Sequence, residues 1–203
     1  TMKLYYSPGA CSLSPHIVLH EAGLPYEAVL VSTKSHKLQD GTDYYSINPL
    51  GYVPFLVLDD GDSLHEGPAI VQYLADLAPE KNLAPANGTI GRYHLQEWLN
   101  FISTEVHKGF SPLFNPATPE DFKPTLRSNL LKRLGWVNAQ LSNKSYLMGD
   151  QFTVADAYFF TVTGWAQFVG LDISELKHIQ AYRERILGRP AVQAAMKAEG
   201  LLK

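Results

Sequence analysis

Residues 6–14 read YSPGACSLS, and they join a short β-prone segment to an apolar helical run. They contain Cys11, which is the only cysteine of the 203-residue chain. A thiol in this position feels the positive end of the helix dipole and nearby unpaired N–H groups, and both favour the thiolate. The thiolate is the nucleophilic form of cysteine. A buried apolar cysteine is the alternative interpretation, because single cysteines commonly have that role.

The local pattern from Cys11 to Ser14 is C-x-x-S, a redox C-x-x-C motif in which serine replaces the second sulfur. Such a thiol cannot close an intrachain disulfide, but it can form a mixed disulfide with a small thiol. The single cysteine, and a start at MKLYY that runs directly into a predicted strand, favour a cytoplasmic location.

The composition excludes several functional classes. The formal net charge is −3 and no basic cluster occurs, so a nucleic-acid partner is not expected. No apolar run approaches the roughly 20 residues of a membrane-spanning helix, so no membrane partner is expected. His16 and His20 have the spacing of metal ligands on a helix, but no third ligand accompanies them. We therefore predict no metal site and expect both histidines on the surface.

The first 78 residues alternate between strand and helix patterns, which predicts a small mixed sheet with helices on its faces. The predicted strands are 3–6, 26–31, 55–58 and one that begins at 63, and the predicted helices are 15–22 and 68–77. Residues 79–88 are rich in proline, glycine and asparagine and are predicted to be a linker.

Residues 89–203 are predicted to form a second, all-helical domain. The predicted helices are 89–114, 124–141, 154–169 and two shorter ones between 174 and 197. The sequence TVAD at 153–156 is an S/T-x-x-D capping box, which marks a helix start and has a structural role.

The predicted helix 89–114 has two distinct faces. An apolar stripe contains Leu95, Trp98, Leu99, Ile102, Val106 and Phe110. A polar set at offsets of three, four and seven residues contains Asn100, Ser103, Thr104 and His107. The polar set is either a solvated face or a wall of a binding site, in which His107 could bind substrate or stabilise a thiolate.

Two loops could hold a peptide-like ligand. Pro54 lacks an N–H, so the backbone of Val53 before it can point outward and pair with an extended ligand. Glu66 and Gly67 precede the predicted helix 68–77, where N–H groups attract a carboxylate and Glu66 would attract an ammonium group. Ordinary compensation of the helix dipole also explains Glu66.

The chain resembles the bacterial beta-class (cysteine-type) glutathione S-transferases over essentially its whole length. The segments that carry the resemblance are KLYYSPGACSL (3–13), NPLGYVP (48–54), EGPAIVQYL (66–74), WLN (98–100), EVHKGF (105–110) and FTVADAY (152–158). The resemblance implies a thioredoxin-like N-terminal domain (1–78), a helical C-terminal domain (89–203), a homodimer and a cis peptide bond before Pro54. Glutathione is implied as cosubstrate, with no prosthetic group, bound across the two domains.

The resemblance also implies the site residues. The implied catalytic residues are Cys11 and His107. Glutathione is expected to contact Cys11, His36, Val53, Glu66, Gly67, Asn100, Thr104, Glu105 and His107. Phe110, Phe114 and Trp165 are expected to line the pocket of an apolar second substrate.

The sequence departs from the family pattern at two positions. His36 stands where many relatives have a lysine for the glycine carboxylate of glutathione, although Lys34 or Lys37 could substitute. Gly67 replaces a serine that other classes have. Both changes predict weaker glutathione binding. Tyr6 and Ser12 are rivals to Cys11, because other classes use a tyrosine or a serine near this strand.

The predicted function is conjugation of the glutathione thiolate to small apolar electrophiles. The first alternative is glutaredoxin-like disulfide reduction through a mixed disulfide between Cys11 and glutathione. The second alternative is a non-enzymatic ligand carrier on the same fold.

Overall fold

A computed structural model describes residues 1–203, which form two compact units. The first unit contains Thr1–Leu83 together with Arg189–Lys203, and the second contains Ala84–Gly188. The division after Leu83 falls inside the predicted linker 79–88. The last 15 residues pack with the first unit, which the sequence pattern did not predict.

The sheet of the first unit has four strands, in the order β2-β1-β3-β4. The strands are β1 (Met2–Tyr6), β2 (Tyr26–Leu30), β3 (Phe55–Val57) and β4 (Ser63–His65). β1 pairs parallel with β2 and antiparallel with β3, and β3 pairs antiparallel with β4. The predicted small mixed sheet is confirmed, and its central strand β1 leads directly into the Cys11 segment.

Three helices complete the first unit. They are α1 (Leu13–Ala22), α2 (Gly67–Asp76) and α8 (Pro190–Ala198). α1 packs against both α2 and α8. It ends at Gly23, whose φ of 67° is the left-handed conformation that glycine adopts easily. The Val53–Pro54 peptide bond is cis, as the family resemblance implied.

The prediction that His16 lies on the surface is wrong. Its side chain is fully buried, and it bonds to Glu199 and to Tyr26. The four-residue spacing of His16 and His20 could not show that Glu199, directly after α8, bonds to His16.

The second unit is helical, as predicted. Its helices are α3 (Ile90–Phe101), α4 (Lys108–Phe114), α5 (Lys123–Gln140), α6 (Val154–Thr163) and α7 (Lys177–Leu187). The predicted apolar stripe between residues 95 and 110 is buried, and it extends from α3 into α4. No helix of the structure combines the length and the apolar character that crossing a membrane requires.

The predicted continuous helix 89–114 is instead three segments, because a π-helical segment, Ile102–His107, separates α3 from α4. An apolar spacing of three to four residues is compatible with an α-turn and with the wider π-turn, so the sequence did not reveal the change. Such π segments occur frequently at functional sites. This one contains several of the residues predicted to bind glutathione.

The predicted helix 154–169 also ends early, at Thr163, and a short 3₁₀ turn, Ala166–Phe168, follows. Arg183 of α7 donates hydrogen bonds to the Phe160 carbonyl and to the Thr163 hydroxyl. The Phe160 carbonyl also accepts the last helical hydrogen bond, from the Gly164 N–H at 3.3 Å, so Arg183 adds its contacts at the carboxyl end of α6.

Candidate active site

The Cys11 segment is a hydrogen-bonded turn at the start of α1. The Ala10 N–H donates to the Ser7 carbonyl at 3.1 Å, and the Ser14 N–H donates to the Cys11 carbonyl at 3.1 Å. The Cys11 thiol donates to the Val53 carbonyl, with Sγ and oxygen 3.2 Å apart. The structure therefore brings together two predicted site residues that are 42 positions apart in the chain.

Ser12 and Tyr6, the two alternative candidates to Cys11, make other contacts in this unit. Ser12 is fully buried, and its hydroxyl accepts from the Ser7 N–H at 3.1 Å. Tyr6 packs its ring against His16, and burial together with the negative charge of Glu199 raises the pKa of its hydroxyl. The Ser12 hydroxyl is thus bonded within the turn, and the Tyr6 ring packs against α1.

The turn before α2 lies beside the cis peptide bond. A Cβ on Gly67 would lie 3.9 Å from Pro54 Cγ, so this loop and the Val53–Pro54 loop are neighbours. Glu66 is exposed and has a φ of 70°, which is uncommon for a residue with a side chain. Such backbone outliers cluster at ligand sites. The loops that carry Cys11, Val53 and Gly67 thus meet at one end of the sheet.

His36 occupies a strained position of its own. Its φ is 54°, and its ring stacks on Tyr45 with centroids 4.8 Å apart. Its N–H donates to the Ser32 carbonyl at 2.9 Å. Lys34 and Lys37, the two alternative partners for the glycine carboxylate, have exposed side chains.

In the second unit, His107 is at the end of the π segment and hydrogen-bonds to α6. Its Nδ1 lies 2.5 Å from the Tyr158 hydroxyl oxygen. Burial, and secondarily the charge of Lys108, lowers the pKa of His107 to about 4. The imidazole is therefore neutral at pH 7. Trp165 packs edge-on against the same ring, with centroids 5.1 Å apart.

Two other polar residues predicted in this region, Thr104 and Glu105, lie within the π segment. Thr104 is exposed, and its hydroxyl donates to the Asn100 carbonyl at 2.9 Å. Glu105 accepts from Arg133 of α5 at 3.0 Å, in an exposed ion pair. A ligand that contacts the Glu105 carboxylate would therefore share it with Arg133.

The three residues predicted for the second-substrate pocket form one aromatic cluster. Trp165 contacts Phe110 and Phe114 edge-on, with centroid separations of 6.0 and 5.8 Å. Phe110 is buried and Phe114 is about half exposed, at 48%. The cluster thus continues from His107 towards the surface of the unit.

Tyr158 is the functional candidate that the sequence reasoning missed. It lies in the buried helix α6, and the sequence reasoning assigned it no role of its own. Its hydroxyl in a largely apolar, buried helix was the available signal, since a buried tyrosine hydroxyl usually has a partner. No group of three or more His, Cys, Asp or Glu side chains is arranged to hold a metal ion.

Two family models match the chain. The glutathione S-transferase N-terminal domain matches residues 9–77, and the glutathione S-transferase C-terminal domain matches residues 101–190. The two matched ranges contain Cys11 and His107, respectively.

Known proteins match over the full length. The glutathione S-transferase GstA of Escherichia coli O157:H7 is 51% identical over 98% of this chain and 100% of its own. The ternary complex of BphK, a bacterial GST, superposes with a TM-score of 0.96 at 59% identity, over 98% of this chain and 100% of that one. A beta-class glutathione S-transferase from Sphingomonas chungbukensis gives 0.95 at 44% identity, with the same coverage. The chain therefore belongs to the glutathione S-transferase family, in its bacterial beta class, and is a transferase that uses glutathione as its cosubstrate.

Proposed function

We propose that the chain conjugates glutathione to small apolar electrophiles, and that Phe110, Phe114 and Trp165 contact the electrophile. The observation that supports this substrate class is the aromatic cluster, which begins beside His107 and ends at the half-exposed ring of Phe114. Aromatic side chains offer large apolar surface with little rotamer freedom, which suits planar apolar ligands.

We propose that glutathione is held by two sets of residues. In the first unit, the Val53 backbone pairs with the cysteine part of glutathione, and Glu66 with Gly67 holds its γ-glutamyl end. His36 takes the glycine carboxylate. In the second unit, Asn100, Thr104, Glu105 and His107 supply further polar contacts. The adjacency of the Cys11, Val53 and Gly67 loops supports the first set.

His107 is proposed to act as a neutral hydrogen-bond donor. With its pKa near 4, the imidazole carries one proton at pH 7. If the Tyr158 hydroxyl donates to Nδ1, that proton is on Nε2. An Nε2–H donor stabilises a developing thiolate without itself being charged. Tyr158 thus acts on the reaction through His107, as a positioning residue.

The resemblance also supports a homodimer and a cytoplasmic location. A homodimer has twice the 22.6 kDa mass of the chain, which light scattering in solution measures directly. Cell fractionation tests the location.

The role of Cys11 is tested with Cys11→Ala and Cys11→Ser, each assayed for conjugation to an aryl halide and for reduction of a glutathione mixed disulfide. We expect both variants to keep conjugation within about tenfold, because glutathione supplies the attacking thiolate. We expect disulfide reduction to vanish. In that reaction the Cys11 thiolate attacks the mixed disulfide and releases the acceptor thiol. A second glutathione thiolate then releases Cys11 and forms glutathione disulfide.

The outcomes separate the three functions. Loss of conjugation in both variants, with wild-type folding, would contradict an auxiliary Cys11 and make it essential for conjugation. Disulfide reduction without conjugation in the wild type would favour the glutaredoxin-like alternative. Neither activity in the wild type would favour the ligand carrier. Intact mass after non-reducing purification shows whether Cys11 carries a glutathione adduct.

A further inference from the structure

A chain of buried polar groups connects the C-terminal helix to the Cys11 turn. Glu199, directly after α8, has a fully buried carboxylate. Its Oε1 accepts from the Gly9 N–H at 2.9 Å, and its Oε2 lies 2.6 Å from Nδ1 of the fully buried His16. The bond to Gly9 joins residues 190 positions apart, and Gly9 is two residues before Cys11.

The chain continues from His16 to the edge of the unit. Nε2 of His16 lies 2.6 Å from the Tyr26 hydroxyl, which is 2.8 Å from Nε2 of His20. A carboxylate only accepts, so Nδ1 of His16 donates to Glu199. The remaining groups can all be satisfied, since a hydroxyl both donates and accepts. The network thus orients the Glu199 carboxylate through the bond between its Oε2 and Nδ1 of His16.

At Gly9 the network meets the backbone of the Cys11 turn. Gly9 has a φ of 72°, in the left-handed region, and the position that a Cβ would take lies 3.7 Å from Leu201. The turn has backbone bonds at Ala10 and Ser14, whereas the Gly9 N–H is directed to a side chain from the opposite end of the chain. The Glu199 oxygen therefore adds, from outside the turn, one bond to the backbone bonds within it.

We infer that Glu199, oriented by His16, is a positioning residue that holds the Gly9–Cys11 turn and so sets the reactivity of the Cys11 thiol. The effect of Glu199 passes through the Gly9 N–H, the turn and the contact between Cys11 Sγ and the Val53 carbonyl. An effect of Glu199 on turnover rests on the proposed function of Cys11, whereas its effect on the reactivity of the Cys11 thiol does not.

The experiment measures alkylation of Cys11 by iodoacetamide, followed by intact mass, at one fixed pH. Because Cys11 is the only cysteine, the signal has one source. Glu199→Met removes both acceptor oxygens and keeps the side-chain length. We expect alkylation about fivefold faster, because one hydrogen bond to a charged group no longer holds the turn and its thiol against Val53.

Glu199→Gln is the conservative variant. It keeps an oxygen for the Gly9 N–H, so we expect its alkylation rate within about twofold of the wild type. Glu21→Met is the matched control. Glu21 of α1 pairs with Arg189, directly before α8, at 2.6 Å, so this change weakens the same helix pair without touching the turn. It too should alkylate at the wild-type rate.

Three results would overturn the inference. They are a wild-type rate in Glu199→Met, an equal acceleration in Glu21→Met, or a Glu199→Gln rate equal to that of Glu199→Met. If Glu199→Met does not fold, amide exchange of the wild-type protein tests the inference instead. The Gly9 N–H should exchange as slowly as that of Ala10, and exchange at the rate of an unstructured glycine would contradict the proposal. Neither measurement uses glutathione, so a failed proposed function would not disturb them.

Discussion

His107 is held neutral in the folded protein, because burial lowers its pKa from 6.5 to about 4. In the unfolded chain the imidazole is solvated and binds a proton near pH 6.5. Between these values the unfolded state binds more protons than the folded state, so acidification favours unfolding. The same burial that makes His107 a neutral donor at pH 7 therefore makes the fold sensitive to acid.

We predict that His107→Asn reduces this sensitivity. The unfavourable contribution reaches on the order of 3 kcal/mol by pH 4, at about 1.4 kcal/mol for each pH unit. From pH 7 to pH 4.5, urea unfolding should show a smaller loss of unfolding free energy in the variant than in the wild type. His94→Asn removes an exposed imidazole and serves as the control. Equal pH slopes in all three proteins would show that His107 does not titrate as described.

At the scale of elements, the start of α6 depends on one buried carboxylate. Asp156 accepts from the Thr153 N–H at 2.9 Å, from the Leu147 N–H at 3.0 Å and from the Tyr182 hydroxyl at 2.8 Å. Burial and the nearby Asp156 raise the pKa of Tyr182, so its hydroxyl remains a donor. The capping box is thus also the point that ties α6 to α7 and to the preceding loop.

Asp156→Ala is expected to lower the unfolding free energy by about 3 kcal/mol or more, because it leaves buried donors without an acceptor. Asp172→Ala is the control. Asp172 accepts from the Ser174 N–H at 2.9 Å in the same way, but it is exposed. Its loss should cost less than about 1 kcal/mol. Denaturant unfolding of both variants measures the difference, and similar losses would mean that burial of the Asp156 network contributes little.

At the scale of the whole molecule, glutathione binding is linked to stability. A ligand that binds only the folded protein stabilises it by about 2.7 kcal/mol at one hundred times its dissociation constant. For a chain of this length that corresponds to a rise in Tm of roughly 5–10 °C. We expect reduced glutathione to raise Tm in this concentration-dependent way.

Cysteinylglycine is the matched control ligand, because it lacks the γ-glutamyl group proposed to contact Glu66 and Gly67. It should raise Tm by much less at the same concentration. A thermal melt of the intact protein with each ligand measures both shifts. Equal shifts would mean that the turn before α2 does not recognise the γ-glutamyl end.

Local sequence patterns were sufficient to predict most of the helices and strands. The strand–turn–helix around Cys11, the paired strands β3 and β4 and the helical second unit all follow from residue spacing and from turn residues, which act over a few positions. The π segment was missed because its apolar spacing also suits an α-helix. The early end of α6 was missed because one contact there comes from Arg183, which lies 20 positions after Thr163 and donates to its hydroxyl.

The order of the elements and the position of the only thiol at a helix start follow from the amino-acid sequence, because these features depend on neighbouring residues. Which distant groups meet depends on the packing of the folded chain. His16 and Glu199 are 183 positions apart, and His107 and Tyr158 are 51 apart. The hydrogen bonding of a buried polar group depends on the partner that packing places beside it. No local spacing in the sequence specifies that partner.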